Sequence, residues 1–171
     1  MQESAANHYE RAFENWLLDR RVDYICADEH ERIGPGPRSV KNFDFLLYLH
    51  SEKRLIVEVK GRTFHGTSLV GMTGLECWVT LDDVESLRTW QEVLGAEHEA
   101  VFVFAYRIEN VDVDLDGREA FAFGLDQYVF FYVRVDDYAR AMKRRSPKWQ
   151  TVTLPADAFR QHARELATLL Q

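Results

Sequence analysis

The order of apolar and polar positions divides the chain into helical and extended stretches. From 4 to 20, Tyr9, Ala12, Phe13, Trp16 and Leu17 recur at helical spacing behind Ser4, an N-cap residue type, which predicts an amphipathic helix. Val22, Tyr24 and Cys26 alternate with polar neighbours and predict a first strand over Val22 to Ala27. Asp28 to Lys41 is polar and holds Gly34-Pro35-Gly36-Pro37, a loop by its chemistry. Asn42-Phe43-Asp44-Phe45 and Leu55 to Arg62 are short runs rich in aromatic and β-branched residues, separated by a polar turn at His50 to Lys53. They predict two consecutive strands.

Thr80-Leu81-Asp82-Asp83 opens a second helix, with a Thr cap and acids in the first turn. Val84, Leu87, Trp90 and Leu94 form its apolar stripe and Gly95 ends it. Val101 to Tyr106 is too uniformly apolar to be half exposed and predicts a central strand. Further strands are expected at Phe121 to Phe123 and Tyr128 to Val135, and a short helix from Asp136-Asp137 through Met142. Trp149 to Leu154 predicts a last strand. Pro155 starts a closing helix through Leu169, with Phe159, Ala163, Leu166, Ala167 and Leu170 on one side.

Three charges interrupt this pattern. Strand side chains alternate between faces, so Leu55, Val57 and Val59 share one side, and Glu58 and Lys60 share the other with Ile56. In the preceding strand Asp44 falls on the side of Leu46 and Tyr48. Charges on apolar strands are costly to bury without partners or a metal. If the two strands pair, Asp44, Glu58 and Lys60 converge at one end of the sheet.

An Asp in one strand followed by Glu-x-Lys in the next resembles the PD-(D/E)xK nuclease superfamily, over roughly residues 5 to 108. Phe43 stands where the family usually has a Pro before the Asp. The order helix, strand, strand, strand, helix, strand also matches the family's core. The resemblance implies an α/β, restriction-endonuclease-like αβββαβ core: a mixed central sheet flanked by helices, with extra C-terminal strands and a helix. It implies one nuclease-like domain over 1–171, elaborated from about 109 onward. By the same resemblance, Asp44, Glu58 and the backbone carbonyl of Val59 would hold Mg²⁺ or Mn²⁺. Lys60 would orient or deprotonate a water, or steady the oxyanion. In the Holliday-junction-resolvase type an acid of the first helix faces the metal, and Glu10 and Glu14 both border the buried side of that helix. Either could instead be a solvated carboxylate.

Composition narrows the chemistry. Hydrophobic residues make up 46% and aromatics 13%, enough for a core. A formal net charge of −7 argues against coating nucleic acid by bulk electrostatics, but not against a metal nuclease whose carboxylates carry part of that charge. Hard carboxylate oxygens favour Mg²⁺ or Mn²⁺ over Zn²⁺. Cys26 and Cys77 lack CxxC spacing and predict reduced core thiols. No apolar run approaches a membrane span of ~20 residues, and Met1-Gln2-Glu3-Ser4 has no signal-peptide character. These features predict a cytoplasmic protein with no membrane partner.

Nucleic acid, DNA first, is the expected partner, and a homodimer is one expectation because many such nucleases cut two strands with two copies. Candidate substrate contacts are Arg62, Lys41 and Gln91, with Arg32 and Arg38 in the same loop as Lys41. Lys143-Arg144-Arg145-Ser146-Pro147-Lys148 is the basic run, either a phosphate contact or an ordinary basic helix C-terminus. His65, in a stretch with four glycines between Gly61 and Gly74, is a ligand candidate or an exposed loop residue. Three readings remain open: a metal-dependent nucleic-acid phosphodiesterase, a catalytically inactive nuclease-fold binding or scaffold module, and a plain α/β domain whose Glu58–Lys60 pair lies on an exposed strand face.

Overall fold

The computed structural model describes residues 8–27 and 40–171. The elements, in chain order, are α1 (His8–Asp19), β1 (Asp23–Cys26), β2 (Phe45–Tyr48), β3 (Arg54–Phe64), β4 (Val79–Thr80), α2 (Leu81–Leu94), β5 (His98–Ile108), β6 (Phe121–Phe123), β7 (Asp126–Arg134), α3 (Val135–Ala141), β8 (Lys143–Ser146), β9 (Thr151–Thr153), α4 (Ala156–His162) and β10 (Arg164–Glu165). Ser4, Arg32 and Arg38 lie outside the described residues.

The main sheet runs β1-β2-β3-β5-β7-β10, with β6 also paired to β7. β3 and β5 are parallel and the other neighbours antiparallel. A smaller sheet runs β4-β9-β8. No helix among the described residues is long and apolar enough to cross a membrane.

The alternation along β3 builds both cores. Leu55, Val57 and Val59 pack on one face with Ala12, Phe13, Trp16 and Leu17 of α1. Ile56 packs on the other with Val84, Leu87 and Trp90 of α2 and with Phe159 of α4. Burying one such aromatic or aliphatic side chain contributes about 1.5–3 kcal/mol, so the parity of β3 fixes which helix covers which face. α1 comes close enough to β3 that a Cβ on Gly61 would lie 2.1 Å from the Tyr9 ring. Glycine is therefore required there by the close approach itself.

α2 is set by its ends. Thr80 accepts from the Asp83 amide and Asp83 accepts from the Thr80 amide, a reciprocal capping box. Gly95, at φ 95°, closes the helix. The crossover then returns the chain to β5, which lies between β3 and β7 and is buried from Ala100 to Tyr106.

Four expectations are corrected. The closing helix stops at His162, because Ala163 is extended (ψ 137°) and Arg164 and Glu165 pair with Tyr132 and Phe131 of β7. Phe159 and Ala163 belong to the α2-side core and Leu166 to the α1-side core, so the chain passes round the sheet edge between them. The basic run is no helix terminus: Met142 is extended (ψ 149°), and Lys143–Ser146 forms β8 against β9. Cys77 is buried as expected, but Cys26 is exposed, since β1 is the outer strand of its sheet among the described residues. Finally, the Glu58–Lys60 face is not open: α2 covers it and Glu58 is only 8% exposed.

Candidate functional site

Asp44 stands just before β2, whose register places Phe45 opposite Val57. The Asp44 amide donates to Val57 O (2.9 Å), and the Val59 amide donates to the Asp44 carboxylate (2.7 Å). The backbone of β3 thus fixes the Asp44 carboxylate one residue from Glu58. Burial first, and then the Asp44 charge, push the Glu58 carboxyl up to about 8; Lys60 and Lys41 offset part of this.

Lys60 follows on the same face. Its ammonium lies 3.7 Å from Glu58 and 2.8 Å from the carboxylate of Asp83. Asp83 also accepts from Lys41 at 2.6 Å. Burial alone would raise the Asp83 carboxyl, but the Lys60 and Lys41 ammonium groups outweigh it and hold it at about 2. Lys41 is itself positioned by α2, since the Trp90 indole donates to Lys41 O (2.9 Å) and Phe43 packs edge-on to Trp90. Three acids and two bases therefore meet where the first turn of α2 covers β3. Sequence reasoning gave Asp83 only its capping role. The Thr-x-x-Asp signal locates it at the helix start, and the fold brings it to Lys60.

The remaining candidates divide. Glu14, on α1, accepts from the Tyr24 hydroxyl (2.6 Å), which pushes the Tyr24 phenol up to about 12, and it lies 3.8 Å from the Cys26 thiol. Burial raises the Cys26 thiol, and the charges of Glu14, Glu10 and Asp44 raise it further. Cys26 thus lies within electrostatic reach of both the α1 acids and Asp44. Arg62 is half-buried: it donates to Gly61 O (2.7 Å) and Trp78 O (2.6 Å), and its guanidinium lies 3.9 Å from the Trp78 ring centroid. Gln91, expected beside the site, is committed elsewhere. Its carbonyl accepts from the Ala100 amide (2.8 Å) and its amide donates to Asp136 (3.0 Å). Lys41 is engaged by Asp83, as described. His65 is exposed and paired with Glu109.

Electrostatically the cluster suits a divalent cation. Glu58, buried beside the Asp44 carboxylate and raised in pKa, is held at the expense of its ionisation, and a hard cation would relieve that cost. Among the described residues no group of three or more His, Cys, Asp or Glu side chains is arranged to hold a metal. The donors on offer are oxygens of Asp44 and Glu58 with backbone at Val59. Such a set suits Mg²⁺, which keeps several waters and binds through one or two carboxylates plus substrate phosphate, better than it suits Zn²⁺.

In structure the chain is similar to Hjc, a Holliday junction resolvase of the archaeal hyperthermophile Archaeoglobus fulgidus. The TM-score is 0.55 and 16% of residues are identical, over 96% of this chain and 99% of that one. This likeness establishes the fold as restriction-endonuclease-like, with a mixed central sheet between helices. No protein-family model and no curated sequence matches the chain.

Proposed function

We propose that this chain is a Mg²⁺- or Mn²⁺-dependent endonuclease of the PD-(D/E)xK type acting on DNA, with Asp44, Glu58 and Lys60 at its centre. The observation that carries the reading is the Asp44–Glu58 carboxylate pair fixed by β3, with the Lys60 ammonium 3.7 Å from Glu58 on the same face. The Hjc neighbour's activity on Holliday junctions makes branched DNA the first substrate to try.

Asp44 and Glu58, with the Val59 carbonyl, would hold the cation, which when bound lowers the pKa of water and offsets charge on the phosphoryl oxygens. The protein's own groups supply the rest. Asp83 fixes where the Lys60 ammonium sits, beside the carboxylate pair. From there Lys60 can donate to a phosphate oxygen or orient a water. With all five groups ionised the cluster carries one net negative charge; a divalent ion makes it positive and receptive to a phosphodiester. Glu10 and Glu14, whose charges reach Cys26 as that of Asp44 does, would bind a water or a second cation once substrate is present.

The reading is tested by Mn²⁺ calorimetry together with nicking of labelled single-stranded, duplex and four-way-junction DNA. Wild type should bind Mn²⁺ and cut at least one form. Asp44→Ala should lose both, and Lys60→Ala should keep Mn²⁺ binding while losing about a hundredfold or more in rate. Cleavage by Asp44→Ala at the wild-type rate refutes the assignment. A second reading, a nuclease-fold binding module without activity, is favoured by the 2.8 Å Lys60–Asp83 pair, which occupies the lysine. It predicts DNA binding, no Mn²⁺ binding and no cutting.

A further inference from the structure

On this chain of formal net charge −7, many cations pair with a neighbouring carboxylate. Arg20, Lys53, Arg107, Arg118, Arg134 and Arg140 each pair with a carboxylate. β8 and the turn after it group four cations that do not. Lys143, Arg144, Arg145 and Lys148 are all exposed, and among the described residues none of them is in an ion pair. Among the described residues β8 is also the outer strand of its sheet.

This strand is joined to the candidate site by a stack of side chains. Arg62 lies two residues beyond Lys60 on the same face of β3 and holds Trp78 from one side. Arg145 of β8 stacks on the same ring, its guanidinium 4.8 Å from the centroid. At the turn after β8, Trp149 is 68% exposed with the Lys148 ammonium 5.1 Å from its ring. A cationic strip interleaved with indoles therefore runs from Lys60 through Arg62, Trp78 and Arg145 to Lys148 and Trp149.

We infer that this strip is the track of a single-stranded polynucleotide leading to or from the Asp44–Glu58–Lys60 centre, with Trp149 stacking on an unpaired base. The inference rests on the nuclease reading of that centre and adds the substrate form and its path. Cations outside ion pairs release counterions when they meet phosphates. An exposed indole beside a lysine offers a platform to any base whose face is open, which a base inside a duplex lacks. Arg62 is half-buried and acts by positioning Trp78, while the outer cations touch the backbone.

The test measures anisotropy of a fluorescent single-stranded oligonucleotide, and of its blunt duplex, with the full chain in EDTA between about 50 and about 200 mM salt. The variants are K143Q/R144Q/K148Q and W149A, all at exposed positions, with circular dichroism to check folding. The triple variant should bind the single strand about tenfold or more weakly and flatten the log–log salt slope by about 2, the value for three lost phosphate contacts at ~0.7 each. W149A should lose about tenfold on the single strand and leave the duplex within about twofold. A triple variant with wild-type affinity and salt slope, or a W149A loss equal on both DNA forms, overturns the inference. Mn²⁺ calorimetry on the same variants separates the two readings. Intact metal binding and cutting with strip-independent DNA binding defeats the track alone, whereas strip-dependent binding without metal binding or cutting defeats the nuclease reading alone.

Discussion

Replacing Glu58 by Gln should stabilise the metal-free protein at high pH and leave it unchanged at low pH. Glu58 is 8% exposed, and burial, then Asp44, push its carboxyl to about 8 from an ordinary 4.5. The native state therefore binds a proton that the unfolded state has released between those two values, so stability falls as pH rises through that window. At about 1.4 kcal/mol per pH unit the full displacement sets a ceiling of about 5 kcal/mol above pH ~8. Lys60 and Lys41 compensate part of the charge, so a recovered stability of about 2–3 kcal/mol is expected. For a chain of this length that is about 5–10 °C in Tm. Calorimetric melts in EDTA should show Glu58→Gln melting higher than wild type at pH ~8.5 and equal to it at pH ~4.5. Added Mg²⁺ should raise the wild-type Tm and not that of the variant. An equal gain at both pH values, or a variant less stable at pH ~8.5, would show that Glu58 is not a strained acid, and the argument for cation binding would fall with it.

Two further outcomes follow from the same geometry. Asp83→Ala removes the α2 capping box and leaves the Lys60 and Lys41 ammonium groups without their shared carboxylate, which should cost about 2–4 kcal/mol in urea titrations. Because the Asp83 carboxyl is held at about 2, below an ordinary 3.8, its contribution is present above pH ~4 and is lost as pH falls toward ~2, so wild type and variant should converge in acid. Gly61→Ala should cost about 1–3 kcal/mol by driving a methyl into the Tyr9 ring, and adding Tyr9→Ala should recover part of the loss. Additive losses in the double variant would show that the close approach of α1 is not what Gly61 serves.

The fold was legible where one local pattern had one consequence. The stripe Ala12, Phe13, Trp16, Leu17 buries as a unit, and the alternation of β3 sends Val57 and Ile56 to separate cores. Thr80, Asp83 and Gly95 mark the ends of α2. The C-terminal region was less legible because its apolar residues keep helical spacing while serving both faces of the sheet: Phe159 packs on one and Leu166 on the other. Between them only the pairing of Arg164–Glu165 with β7 turns the chain, and that partner lies some thirty residues earlier (Tyr132, Phe131). Lys143–Ser146 misled for a similar reason. Basic residues after a short helix suit its C-terminus, but they equally suit an outer strand, whose exposed charges guard it against pairing with another chain.

The composition of the site follows from one topological step. β3 and β5 are parallel, so α2 must cross back over the sheet between them, antiparallel to both. Its N-terminus therefore sits over the later part of β3 and its C-terminus over the start of β5. That explains why Asp83, in the first turn, reaches Lys60, while Gln91, eight residues and about 12 Å further along the axis, meets Ala100, the partner of Ile56. Both residues flank the buried stripe of α2, and the helix alone gives no reason to prefer one. Only the direction of the crossover decides which polar residue joins the carboxylate pair, and it selects an acid that holds the Lys60 ammonium in place.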